Sequence, residues 1–295
     1  MSEPRISAFA RLANGNADPT RVISGQQSRL SRTMHGIFYD DVHDEIVVPV
    51  ALGGAVLTLP GDAAGDAPPK RVLQGPKTGI VQPDTIYVDL KHDELIVESG
   101  DDAVLVFPRT AQGDVTPSRR IGGPNSGVSN IYGLAAGRDC LVVANRVDTG
   151  GRASDDAILV FNRTDNGDPK PRTKISGPHT GIIKIRQVFV DEERGLIFAT
   201  IKNNFEAYNY ADARPSPWDP IKTGFIAVWS IDDNGDVPPR GVIRGPATGL
   251  VWPAGVAINP KNHEIYAIDS VSNALFMFKM PEFFLKLPGS TAAGK

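Results

Sequence analysis

The chain of 295 residues has one cysteine, Cys140. A single cysteine closes no internal disulfide, and without a paired Cys-x-x-Cys there is no thiolate metal clip. Its surroundings, Asp139-Cys140-Leu141-Val142-Val143, are mostly apolar, so Cys140 reads as a small core residue rather than a nucleophile. An excess of one charge is also missing. Lys and Arg total 31 against 34 Asp and Glu, a net charge of -3. That balance argues against nucleic acid or an anionic membrane as a partner, since both demand a basic footprint. No apolar run reaches the ~20 residues of a membrane-crossing helix. Met1-Ser2-Glu3-Pro4-Arg5 lacks the charged-then-apolar order of a secretory signal, which makes the cytoplasm the default expectation. Phosphate-cradling Walker loops, a Gly-x-Ser-x-Gly elbow and His-Glu-x-x-His are all absent.

What is plentiful is turn chemistry. The 30 glycines and 24 prolines recur at a regular spacing, as in an all-β chain with many tight turns. Three short β-prone segments close the chain: Pro253-Ala254-Gly255-Val256-Ala257-Ile258-Asn259, Glu264-Ile265-Tyr266-Ala267-Ile268-Asp269 and Ala274-Leu275-Phe276-Met277-Phe278. The triplet recurs upstream, most plainly around Ile86-Tyr87-Val88-Asp89, Glu94-Leu95-Ile96-Val97 and Val104-Leu105-Val106-Phe107. A fourth strand follows each Gly-Asp-x-x-Pro turn, at Gly65-Asp66, Gly113-Asp114, Gly167-Asp168 and Gly235-Asp236, with a variant at Gly15-Asn16. A Gly-Pro-x-Thr/Ser-Gly turn then leads to the next unit, as in Gly75 to Gly79.

Four strands in about 48 residues is the scale of a propeller blade. The fold expected is all-β: one β-propeller domain over 1–295, with five four-stranded blades and six as the alternative. The blades fall near 34–74, 83–122, 131–176, 185–244 and 253–279 plus 6–25. The central strands are apolar along nearly their whole length, which suits sheets buried on both faces. The ring is expected to close by Arg21-Val22-Ile23-Ser24 pairing with the last blade, because open strand edges are an aggregation hazard. The Gly-Asp-x-x-Pro segments read as turn chemistry, not calcium loops. His43, His92 and His263 recur in turns between first and second strands and read as solvated; His179 reads as exposed loop.

First strands begin near His35, Asp84, Tyr132, Arg186 and Ala254. Repeat positions that serve only folding should look alike, yet these five differ and four are polar or ionisable. That makes the register a candidate site, with His35 and Asp84 as acid–base groups and Arg186 as an anion clamp. The bland alternative is a polar, hydrogen-bonded tunnel lining. Two longer loops follow second strands, at 146–154 and 202–223, and bring Arg146, Tyr208 and Trp218 to the candidate ligand-binding face alongside Tyr132.

The motifs Pro-x-Gly-Val-Ala-Ile-Asn, Glu-Ile-Tyr-Ala-Ile-Asp-Ser and Asn-Ala-Leu-Phe-Met-Phe resemble the NHL repeat, and more widely the TolB-like and gluconolactonase-type propellers. The resemblance covers roughly residues 6–280 and implies a propeller that binds a small molecule or a protein at the tunnel mouth. Alternatively it implies a lactonase-type hydrolase or a lyase. Gluconolactonase-type relatives hold a divalent ion with Glu, Asn and Asp side chains. Aligned ends of second strands here read Val50, Ser99, Asn145, Thr200 and Asp269, so Asn145 and Asp269 are the ligands this resemblance implies for a Ca²⁺ or Mg²⁺ ion.

Overall fold

In the computed structural model, the residues described are 3–100, 102–146, 156–202 and 223–284. They form an all-β, five-bladed β-propeller fold with one short α-helix and a few single 3-10 turns. The chain divides into two compact units, Met1–Gly122 and Gly123–Lys295, each considered by itself.

The first unit opens with a two-stranded pair, β1 (Arg5–Ala8) and β2 (Arg21–Ser24). Two antiparallel meanders follow: β3 (Phe38–Asp40), β4 (Glu45–Val50), β5 (Ala55–Pro60) and β6 (Arg71–Gln74), then β7 (Ile86–Asp89), β8 (Glu94–Ser99), β9 (Ala103–Pro108) and β10 (Arg119–Ile121). Strand β2 pairs with β1, placing Ile6 opposite Ile23. The physical reason is local. Ile23 is 1% exposed and packs with Ile46, Val48 and Leu59, while Ile6 packs against the same cluster.

Strand β4 shows why the central strands carry no apolar–polar alternation. Its six residues are all buried. Ile46 and Val48 point to the cluster around Ile23, whereas Val47 packs with Val97, Leu105 and Phe107 of the next sheet. Successive side chains leave a strand on opposite faces, so a sheet covered on both sides needs apolar residues at every position.

The second unit holds three sheets. The first is β11 (Ile131–Gly137), β12 (Cys140–Asn145), β13 (Ala157–Asn162) and β14 (Thr173–Ile175). The second is β15 (Ile185–Asp191), β16 (Leu196–Ile201), β17 (Phe225–Ser230) and β18 (Gly241–Ile243). The third has three strands, β19 (Pro253–Asn259), β20 (Glu264–Asp269) and β21 (Ala274–Lys279), followed by α1 (Pro281–Phe284). Phe283 and Phe284 of α1 return to the core, where Phe284 stacks on Phe198 with centroids 5.9 Å apart.

The Gly-Asp-x-x-Pro turns do more than reverse the chain. Each aspartate reaches back to the Gly-Pro-x-Thr/Ser-Gly turn of the preceding repeat. Asp66 Oδ1 accepts the Gln27 and Ser28 N–H bonds at 2.6 and 3.1 Å; Asp114 accepts from Lys77 N at 2.6 Å. Asp168 accepts from Ser126 N and Asp236 from His179 N, both at 2.7 Å. Within the turn, the Thr78 hydroxyl donates to Gly75 O at 2.6 Å and accepts from Ile80 N at 3.1 Å. Gly75 is required twice over. Its φ is +137°, and a Cβ there would stand 2.4 Å from the Asp114 carboxyl carbon.

Turns between first and second strands are built around another recurrent carboxylate. Asp40 accepts from Val42 N and His43 N, and Asp89 from His92 N. The rings of His43 and His92 each lie 2.8 Å from those carboxylates, while His263 stacks on Phe284. His179 is exposed as expected, with Nδ1 2.6 Å from Asp236. Cys140 is fully buried, and burial pushes its thiol up to about 11.

Candidate functional site

Irregular strand pairing brings the site of the second unit together. All three first strands of this unit break register near their start: between Ile131 and Gly133, between Ile185 and Val188, and between Pro253 and Gly255. The residues left out of the ladder are Tyr132, Arg186 with Gln187, and Ala254. A bulge bends its strand and re-aims the side chain it carries. Three of the five variable positions singled out in the sequence are therefore bulge residues.

The consequence is a stack. The Arg186 guanidinium lies 4.8 Å from the centre of the Tyr132 ring, and that of Arg146 lies 5.0 Å from it. The close approach depends on Gly133. A Cβ there would stand 2.9 Å from Arg186 O and from Gln187 Cα.

Lys202 extends the cluster. It is 9% exposed, with its Nζ 3.5 Å from the centre of the Trp252 ring. Trp252 Nε1 is itself buried and has no hydrogen-bond partner among the described residues. Burial pushes the Lys202 ammonium down to about 7. The positive charges of Arg186, Arg146 and Lys184 act in the same direction, and Asp269 opposes them. Among the described residues, Lys202, Arg146 and Lys184 form no ion pair with a carboxylate.

Sequence reasoning passed over Lys202 as a site residue. The repeat did carry a signal: Arg146 N donates to Asn130 O, Lys202 N to Lys184 O and Ser270 N to Trp252 O, so Arg146 and Lys202 are equivalent. The ladder pairs Ile131 with Asn145, Ile185 with Ile201 and Pro253 with Asp269. Ile201, not Thr200, therefore matches Asn145 and Asp269. The two-residue bulge at Arg186 and Gln187 shifts that strand by one position.

Asn145 and Asp269 are engaged with backbone. Asn145 Oδ1 accepts from Ser129 N at 2.6 Å. One Asp269 oxygen accepts from Val251 N and Trp252 N, the other from Val271 N, Ser272 N and the Ser272 hydroxyl. Thr200 Oγ1 accepts from Gln187 N at 3.0 Å. These side chains hold the loops that present Tyr132, Arg186 and Trp252. Among the described residues, no three His, Cys, Asp or Glu side chains group as a metal site. Tyr208 and Trp218 lie outside the described residues.

In the first unit, His35 Nδ1 and Asp84 Oδ1 are 2.9 Å apart, with side chains 43% and 33% exposed. The backbone of Asp84 is anchored by Glu98, whose carboxylate accepts the Asp84 N–H. Next in sequence, Thr85 is buried and its Oγ1 has no partner among the described residues. The His35–Asp84 pair and the Tyr132–Arg186 pair each lie within one unit.

No family model matches the chain, and no curated protein matches it. Among solved structures it is similar to the hydrazine synthase of Kuenenia stuttgartiensis, with a TM-score of 0.60 and 13% identity. The match covers 93% of this chain and 71% of that one. At that identity the likeness shows the β-propeller fold alone, and fold does not carry function with it.

Proposed function

We propose that this protein is a binding propeller that captures a small anionic ligand in its second unit, through Lys202, Arg146 and Arg186. One observation carries the reading: a lysine that is only 9% exposed rests its ammonium on an indole face, beside other cations and with no carboxylate partner among the described residues. Burying a charge costs several kcal/mol unless a counter-charge meets it, and like charges add to the cost. A carboxylate or phosphate group meets both demands. Arginine supplies the planar fork that such groups accept, and both forks lie against the Tyr132 ring. The buried Trp252 N–H adds a neutral donor.

The test is calorimetric titration of the parent and of Lys202→Met with oxalate and with inorganic phosphate at low ionic strength. The expected result is saturable binding of at least one anion by the parent, weakened tenfold or more in the variant. If the parent binds neither anion, or Lys202→Met binds as the parent does, the reading falls.

A second reading, a hydrolase or lyase, has one observation in its favour. His35 Nδ1 lies 2.9 Å from Asp84 Oδ1, the pairing by which a carboxylate orients an imidazole for acid–base work. Asn145 and Asp269 are assigned here to loop support rather than to a divalent ion, since their oxygens already accept backbone N–H bonds.

A further inference from the structure

We infer that Lys202 is a carbonyl-capturing amine, and that the ligands of this site include small 2-oxo carboxylates, which Lys202 holds as an imine. The inference rests on the anion-binding reading above and names the substrate class for it. Its geometric basis is the position of Nζ. The amine stands 3.5 Å from the Trp252 ring centre, on an apolar face that gives it no acceptor. The guanidiniums that would take a carboxylate, Arg146 and Arg186, both lie against the Tyr132 ring and both act on the Lys202 charge. A 2-oxo carboxylate carries its carbonyl carbon one bond from its carboxylate. Anchoring the anion therefore brings an electrophile to the amine.

The charged groups acting on Lys202 come from several elements. Arg186 and Lys184 belong to β15 and its approach, Arg146 to the end of β12, and Asp269 to β20. Asp269 is the one carboxylate among them, and its oxygens accept the N–H bonds of the flanking loops. Asp156, also buried, accepts from Ile185 N. Burial first, and then the charges of Arg186, Arg146 and Lys184 opposed by Asp269, favour the neutral amine, in line with a Lys202 pushed down to about 7. A nucleophilic lysine is activated in this way, by desolvation and a neighbouring cation.

The step balances without an added reagent. The Nζ lone pair attacks the carbonyl carbon and a C–N bond forms. The carbonyl oxygen takes up two protons, both given up by the nitrogen and relayed through solvent, and leaves as water. The imine that remains takes up a proton, giving a cationic iminium next to the bound carboxylate.

The experiment treats the parent protein at pH 7 with glyoxylate and cyanoborohydride, which reduces an imine to a stable secondary amine, and maps the modified lysines by peptide mass. At pH 7 a lysine titrating near 7 is about half neutral, whereas an ordinary one near 10.4 is neutral at roughly one part in 2,500. After allowance for restricted access, Lys202 is expected to label ~10- to 100-fold faster than the exposed Lys77 and Lys261, and excess oxalate is expected to protect it. If the parent binds oxalate but Lys202 labels no faster than Lys77, the imine is overturned and the anion-binding reading stands. If oxalate does not bind and Lys202 is not labelled selectively, both fall. Selective labelling that oxalate does not block also overturns the inference, because the amine would then act apart from the anion seat.

Discussion

Replacing Glu45 with glutamine should weaken the first unit by an amount that depends on pH in a defined direction. Glu45 is 4% exposed and is met by three cations. Arg71 donates two bonds to it, at 2.8 and 2.5 Å; Lys70 Nζ lies 3.0 Å away and Arg109 Nη1 3.1 Å. The Arg71 bonds, opposed by burial and helped by Lys70, bring its carboxyl from 4.5 down to about 2. A shift of ~2.5 pH units corresponds to about 3 kcal/mol at 1.36 kcal/mol per unit. The Lys70 side chain is 45% exposed, so water screens part of this, and about 2 kcal/mol is the working figure. Because the folded-state value is depressed, the contribution is present in full above the unfolded value of 4.5 and is lost as pH falls toward 2. Urea unfolding of parent and Glu45→Gln, monitored by circular dichroism between pH 7 and pH 3, reads the difference. The expected result is a deficit of about 2 kcal/mol at pH 7 that shrinks steadily below pH 4.5. Equal stability at pH 7, or a deficit that grows on acidification, would refute the reasoning.

Two further outcomes follow from close packing. Gly133→Ala places a Cβ 2.9 Å from backbone atoms of Arg186 and Gln187, which cannot swing aside as a side-chain tip would. It should cost ~1–3 kcal/mol in denaturant titration and weaken oxalate binding in calorimetry, whereas a silent variant would mean the Tyr132–Arg186 stack does not depend on that approach. Cys140, fully buried and with its thiol pushed up to about 11, should resist a disulfide exchange reagent at pH 8 in the folded protein and react fully in urea. Rapid reaction of the folded protein would contradict its burial.

How much was legible differs between the fold and the site. Blade content was readable because the repeat writes the same turn chemistry many times: Gly75 and Gly123, with φ of +137° and +129°, sit in recurring turns that few other residues tolerate. Runs such as Ile46-Val47-Val48 announced sheets covered on both faces. Sequence spacing gives Arg21–Ser24 a place in the repeat but does not set the register that lays Ile6 opposite Ile23. Variation at one repeat register drew attention to Tyr132 and Arg186, and the Arg186 guanidinium lies 4.8 Å from the Tyr132 ring centre.

By itself, then, the sequence determined the all-β repeat, its strand order and the positions at which turns must fall. These are local properties, set by φ preferences and side-chain periodicity within a few residues. Only the tertiary structure decided that each Gly-Asp turn reaches back to the repeat before it, that Asn145 and Asp269 spend their oxygens on loop N–H groups, and that Lys202 is buried against Trp252. The reason is that bulges, which a repeat pattern does not reveal, shift the pairing by a residue or two. Whether a charged side chain meets water, an aromatic face or another cation depends on that shift.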